Sequence, residues 1–183
     1  MIWMILGLVL WSAAHLLKRL APAMRARMGG AGRGVVTIGV LAGVVLMVIG
    51  YRVWDDSALL WNRSAALTGI NNLLMLVSVY LFAASGMKTK VAQVLRHPQL
   101  MAVILWAVAH LLTNGDVASL VLFGVLALWA LAEIALINAS GPWQRPEAPV
   151  RAGKEIGAAV GAVLVTVALG YLHVWFSLMP WGA

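Results

Sequence analysis

The chain has 183 residues, of which 63% are hydrophobic and 10% are charged, and its formal net charge is +7. Soluble domains carry about 25% charged residues, so this composition excludes an ordinary soluble protein and indicates an integral membrane protein. Cysteine is absent, which excludes disulfides, iron–sulfur clusters and thiolate-bound metals. The length suits one domain, residues 1–183, and we expect the basic residues to set topology and touch anionic lipid headgroups rather than bind nucleic acid.

Six apolar segments predict membrane-spanning helices, because about 20 helical residues cross a hydrocarbon core of about 30 Å. The predicted fold class is therefore an all-α polytopic membrane bundle of about six helices. In chain order, the predicted spans are residues 1–17, 34–53, 65–86, 98–113, 117–138 and 157–176. The first segment is not expected to be a cleaved signal, since Lys18 and Arg19 follow its apolar stretch instead of preceding it.

The distribution of charge predicts the orientation of these spans. Eleven of the 13 basic residues fall in the segments that follow spans one, three and five. By the positive-inside rule these segments face the cytoplasm, so both termini are predicted to lie outside. Only Arg52 and Arg63 fall on the outer side. The same topology places five tryptophans at the outer interface, as in an aromatic belt: Trp3, Trp54, Trp61, Trp175 and Trp181.

Polar residues inside the spans are candidates for buried contacts. Asn71 belongs to a stripe on one face of span three, for which interhelical hydrogen bonds and the lining of a cavity are both open interpretations. The other members of the stripe are Thr68, Ser78 and Ser85. Glu133 lies inside span five, where a carboxylate is expected to be paired. Its candidate partners on the same side of the membrane are Arg96, His97 and His15.

The four histidines carry the strongest functional signal, because imidazole is costly in hydrocarbon and is a common haem ligand. The topology puts His15 and His97 toward the cytoplasmic face. His110 lies 13 residues beyond His97, or about 20 Å along the helix, and therefore lies toward the outer face with His173. Structural histidines with satisfied hydrogen bonds are the alternative to haem or metal binding. Catalytic residues stay unknown, because the chain lacks the GxSxG, HExxH, P-loop, CxxCH and GxGxxG motifs.

Four stretches together resemble the NnrU family of bacterial membrane proteins, and the resemblance covers nearly the whole chain. They are LWSAAHLLKRLAP at 10–22, VIGYR at 48–52, TGINNLLMLVSVYLFAASGMKTK at 68–90 and LRHPQLMAVILWAVAHLLTNGD at 95–116, followed by the late His173. The resemblance implies a multi-pass protein of the bacterial inner membrane that supports denitrification. It also implies components of nitrite or nitric oxide reductases as candidate partners.

The NnrU family is in turn similar to plant 15-cis-zeta-carotene isomerase, a membrane enzyme with a histidine-ligated haem b. This similarity implies haem b as the cofactor, His15 and His110 as the iron ligands, and His97 as the histidine of the RHPQ motif. The supporting polar residues are Asn71, Arg96, Glu133 and Asn114. Because the topology separates His15 and His110 by around 15 Å along the membrane normal, a pair of His15 and His97 is geometrically easier.

Three departures from the isomerase argue against carotenoid isomerisation. Asn71 stands where the isomerase has a histidine, Ala107 replaces a cysteine implicated in ligand switching, and the loop after span five is shorter. Two alternatives to a denitrification role stay open. One is a membrane enzyme acting on a lipid or isoprenoid, either an isomerase or a methyltransferase of the isoprenylcysteine type, which the RHP motif before an apolar helix also resembles. The other is a non-catalytic assembly factor for a reductase.

Overall fold

The computed structural model describes residues 1–54, 56–176 and 178–181, and within these ranges the chain folds into eight helices without a named strand. The helices are α1 (Ile2–Leu20), α2 (Pro22–Arg27), α3 (Ala31–Arg52), α4 (Ala65–Met87), α5 (Lys90–Val94), α6 (Pro98–Thr113), α7 (Val117–Ala139) and α8 (Ala152–Trp175). Each predicted span corresponds to one of the six longer helices, which confirms the all-α class. The short helices α2 and α5 lie in segments predicted to be cytoplasmic loops.

Five of these helices, α1, α3, α4, α7 and α8, are long and apolar enough to cross a membrane. Their outer surfaces carry exposed large aliphatic side chains, such as Ile38, Leu128 and Leu164, as expected for faces that contact lipid. The sixth apolar helix, α6, has 16 residues. It is therefore about 24 Å long, shorter than a hydrocarbon core of about 30 Å. Six spans and two outer termini stay predictions.

Helices α1 and α3 form the closest pair, because glycines remove the side chains between their backbones. A Cβ atom at Gly7 would lie 2.6 Å from the carbonyl oxygen of Gly43, and one at Gly43 would lie 3.0 Å from the backbone nitrogen of Trp11. The first distance is too short for a real side chain, and the second would require the neighbouring backbone to shift. The small residues therefore permit the close approach that drives helix association in lipid.

Helix α1 also contacts α7, which packs against α6; α6 packs against α4, and α4 packs against α8. A buried apolar cluster joins α1, α3 and α7 through Met4, Leu8, Met47 and Leu126. We refer to two ends of the bundle. The His110 end holds the beginnings of α1, α4 and α7 and the last turns of α3, α6 and α8, and the Glu133 end is opposite.

The loop after α3 closes the His110 end of the bundle. The backbone nitrogens of Leu60 and Trp61 donate to the carbonyl oxygen of Gly115 at 2.6 and 3.2 Å, and Val117 donates to Ala58 at 3.0 Å. The Trp61 indole also donates to the carbonyl oxygen of Leu111 at 3.0 Å. A side chain at Gly115 would clash with Trp61, so glycine is required for this close contact.

Candidate functional site

The structure brings His110 on α6 and His173 on α8 together at the His110 end of the bundle. Their ring centroids are 6.4 Å apart, and the ring planes are inclined by 42°. Both side chains are half-buried. The depth argument from the sequence paired these two histidines, and their proximity confirms that part of the prediction.

Each ring is held by the same type of hydrogen bond, between Nδ1 and the carbonyl oxygen four residues earlier on its helix. Nδ1 of His110 lies 2.8 Å from the carbonyl oxygen of Trp106, and Nδ1 of His173 lies 2.7 Å from that of Leu169. A carbonyl oxygen only accepts, so each Nδ1 must carry the hydrogen. In the neutral imidazole, Nε2 is then left with a free lone pair. Metal-binding histidines are oriented in this way by a carbonyl group behind the ring.

The spacing of the two rings also suits one shared ion. Taking metal–nitrogen bonds of about 2.0–2.1 Å and an imidazole half-width of about 1.1 Å, two rings on opposite sides of an ion have centroids about 6.3 Å apart. The observed separation is 6.4 Å. Two aromatic rings pack against His110: Phe123 stacks on it at 4.6 Å, and Trp106 lies 5.0 Å from it.

Asn114, predicted to support this site, contacts the backbone rather than the ring of His110. Its side-chain nitrogen donates to the carbonyl oxygen of His110 at 2.8 Å, and its backbone nitrogen donates to the same oxygen at 2.8 Å. These bonds satisfy a carbonyl group at the carboxyl end of α6. Asn114 therefore fixes where the helix ends, one turn beyond the histidine.

His15 lies in a separate cluster and does not contact His110. Its Nδ1 donates to the carbonyl oxygen of Trp11 at 2.9 Å, and its ring packs 4.2 Å from Trp11 and 4.8 Å from Trp129. His15 thus rests on Trp129, whereas His110 rests on Phe123, six positions earlier on α7. Six residues of helix correspond to about 9 Å. The structure does not bring together the two histidines that the resemblance pairs.

The RHP segment stabilises the carboxyl end of α7. Arg96 donates from Nη2 to the carbonyl oxygens of Ile137 at 3.1 Å and Gly141 at 2.8 Å. Nε2 of His97 lies 2.8 Å from Oδ1 of Asn138. Since an amide oxygen accepts, His97 donates through the nitrogen that would otherwise face a ligand. Arg96 therefore satisfies carbonyl groups at the carboxyl end of α7, and His97 holds the Asn138 side chain there. Both residues have a structural role.

Glu133 is paired, as predicted, but its partner is Arg19 rather than Arg96, His97 or His15. Nε of Arg19 lies 2.5 Å from Oε2 of Glu133, and the Glu133 side chain is only 7% exposed. Span one was predicted to end at residue 17, with Arg19 in the following loop. Helix α1 instead continues to Leu20. Arg19, one turn beyond His15, therefore stays on the helical face that meets α7.

The polar stripe on α4 is used for hydrogen bonds. The buried Ser78 donates to the carbonyl oxygen of Ala102 on α6 at 2.7 Å. Asn71, also buried, donates to the Asn72 side chain at 3.0 Å, and Asn72 donates to the carbonyl oxygen of Pro180 at 3.1 Å. The contact of Ser78 supports the interhelical interpretation for that residue, whereas Asn71 belongs to a local amide pair.

Arg52 was not predicted to be a site residue and was used only to predict topology. A cavity of about 370 Å³ lies between the last turns of α3 and α8, beside the histidine pair. Its lining residues are Val48, Arg52, Leu172, His173, Phe176 and Leu178. The guanidinium carbon of Arg52 lies 5.8 Å from the centroid of the Phe176 ring. Arg52 ends the VIGYR stretch, but that motif does not indicate a cavity, most of whose lining residues lie at positions 172–178.

A hydrogen-bonded chain at the same end also escaped prediction. Tyr51 contacts the Ser119 hydroxyl at 2.8 Å, and this hydroxyl donates to Asp116 Oδ2 at 2.7 Å. Ser57 and the backbone nitrogen of Ser119 donate to Asp116 Oδ1 at 3.1 and 2.8 Å. Burial raises the pKa of the Asp116 carboxyl, but these hydrogen bonds outweigh burial and hold the pKa below its ordinary value. Asp116 caps α7 and secures the loop after α3.

Comparisons with known proteins add one family match. The family model described as NnrU protein matches residues 3–180. The comparison with curated proteins found no match, and neither did the comparison with solved structures.

Proposed function

Because the chain belongs to the NnrU family, we propose that it is an inner-membrane protein that supports nitrite or nitric oxide reduction and binds haem b between His110 and His173. The denitrification role follows from the family resemblance. The haem proposal is carried by one observation, two half-buried imidazoles with oriented rings whose centroids are 6.4 Å apart. The proposed ligand pair is therefore His110 and His173, in place of His15 and His110, which the resemblance implies.

The donor set fits an iron porphyrin better than a bare ion. Among residues 1–54, 56–176 and 178–181 there is no group of three or more His, Cys, Asp or Glu side chains that could hold a metal. A zinc ion takes three or four protein ligands, whereas haem iron needs the protein only for its axial positions. The aromatic and aliphatic groups around the pair suit the faces of a porphyrin ring.

The chain's own residues would hold and orient such a cofactor. The carbonyl oxygens of Trp106 and Leu169 fix the two imidazole rings, and Phe123 blocks rotation of the His110 ring by stacking on it. When bound, haem supplies one-electron chemistry at a potential set by its axial ligands and by burial. On the His110 side, Trp106 and Phe123 would shield the site from water.

Absorption spectroscopy of purified protein and four single variants tests the proposal. Protein from haem-replete cells should show a Soret band, with the α and β bands of low-spin haem after reduction. His110→Ala and His173→Ala should lose most of the bound haem, whereas His15→Ala and the matched control His97→Ala should keep it. Imidazole added to the first two variants should restore the low-spin spectrum, which separates a lost ligand from a lost fold.

Each result has a defined consequence. Colourless wild-type protein overturns the haem proposal and leaves the assembly-factor alternative, which predicts copurification with a reductase subunit. Loss of haem in His15→Ala, together with retention in His173→Ala, would make His15 and His110 the ligand pair. The denitrification role is tested separately by deleting the gene in a denitrifying host, where consumption of nitrite or nitric oxide should fall and unchanged consumption would refute it.

A further inference from the structure

The cavity between α3 and α8, which we call the Arg52 groove, has the properties of a site for an amphiphilic ligand. Its volume of about 370 Å³ falls within the range of small-molecule sites, about 300–1,000 Å³. Of its six lining residues, Arg52 and His173 have polar side chains, and the others are apolar. His173 is therefore the member of the histidine pair that also lines the groove.

Arg52 brings a positive charge to this apolar groove without a carboxylate partner in the described part of the chain. The ion pair found there joins Arg19 to Glu133, at the opposite end of the bundle. The Arg52 guanidinium instead lies over the Phe176 ring, 5.8 Å from its centroid. Arg52 is exposed at the end of α3, where it is free to meet an anion, and its planar fork matches a carboxylate in two-point contact.

We propose that Arg52 binds a carboxylate of the porphyrin held by His110 and His173, so that the acidic edge of the cofactor faces the last turn of α3. This inference rests on the proposed function. Haem b combines a flat apolar ring with two carboxylate side chains. The groove offers the matching set, with an imidazole and aliphatic walls beside a single guanidinium group. Arg52 is therefore a positioning residue that sets which edge of the ring points out of the bundle.

The test compares haem with haem dimethyl ester, in which both carboxylates are neutralised. Both compounds are titrated into full-length apoprotein in detergent and followed at the Soret band. Arg52→Gln should weaken haem binding about 10- to 100-fold, the loss expected for hydrogen bonds to a charged group. The same change should leave the affinity for the diester unaltered, because the diester has no charge for Arg52 to meet.

Two further variants control for charge and folding. Arg33→Gln removes the same charge from the opposite end of α3 and should bind haem like the wild type. Arg52→Lys should recover part of the affinity, since lysine keeps the charge without the planar fork. Equal weakening of haem and diester by Arg52→Gln, or no weakening of either, overturns the inference while the proposed function stands. Wild-type protein that binds neither porphyrin overturns both.

Discussion

The Arg19–Glu133 pair gives a prediction whose size follows from unequal burial of its two members. Exposure is 33% for the Arg19 side chain and 7% for that of Glu133. Breaking a buried pair costs about 3–5 kcal/mol when the remaining charge is left unpaired. Arg19→Ala leaves the buried carboxylate alone, so we expect a loss of about 3 kcal/mol, at the low end because the pair is partly exposed. Glu133→Gln leaves an arginine that can reach the headgroups and should cost only about 1 kcal/mol.

Reversible unfolding in mixed micelles measures this asymmetry. The difference of about 2 kcal/mol corresponds to roughly 30-fold in the ratio of unfolded to folded protein. The double variant Arg19→Ala/Glu133→Gln should cost less than the sum of the single changes. Equal costs for the two single variants, or strict additivity in the double variant, would refute the reasoning.

Three further predictions concern the ends of the bundle. Asp116→Ala should lower stability by about 1 kcal/mol at neutral pH through the lost α7 cap. Because the pKa of Asp116 is depressed in the folded protein, its contribution to folding stability is present above the ordinary carboxyl pKa and is lost as the pH falls through the folded-state pKa. The variant should therefore lack this pH dependence of stability when unfolding is measured in an acid titration. Arg96→Ala should lower the melting temperature through its two lost carbonyl contacts without altering a haem spectrum, whereas loss of haem would contradict its capping role. Gly115→Ala should destabilise more than the exposed control Gly34→Ala in the same thermal scan, because only Gly115 contacts Trp61.

Much of the helical architecture could be predicted because apolar length is a local property of the sequence. Charge was the source of one boundary error: Lys18 and Arg19 suggested a loop, yet α1 continues to Leu20 and Arg19 pairs with Glu133 on α7. A single sequence does not show which distant carboxylate compensates a given cation. The length of α6 was predicted correctly, since Pro98 begins the helix and the turn around Gly115 follows it.

The position of each candidate residue along its helix could be predicted, but the neighbouring helix that its side chain faces could not. Counting residues along the spans correctly put His110 near His173. The same counting put His15 near His97, but His97 binds Asn138 and His15 packs between two tryptophans, because the two side chains face different helices. Arg52 could not be recognised as part of the site, since its neighbours in the groove, apart from Val48, lie more than 100 residues later in the chain.

The optical spectrum of His173→Ala, compared with those of the wild type and His15→Ala, tests the central claim most directly. We expect wild-type protein and His15→Ala to show the same low-spin haem spectrum after reduction. His173→Ala should lose that spectrum and regain it when imidazole is added. A His173→Ala spectrum identical to that of the wild type would contradict the assignment of the site to His110 and His173.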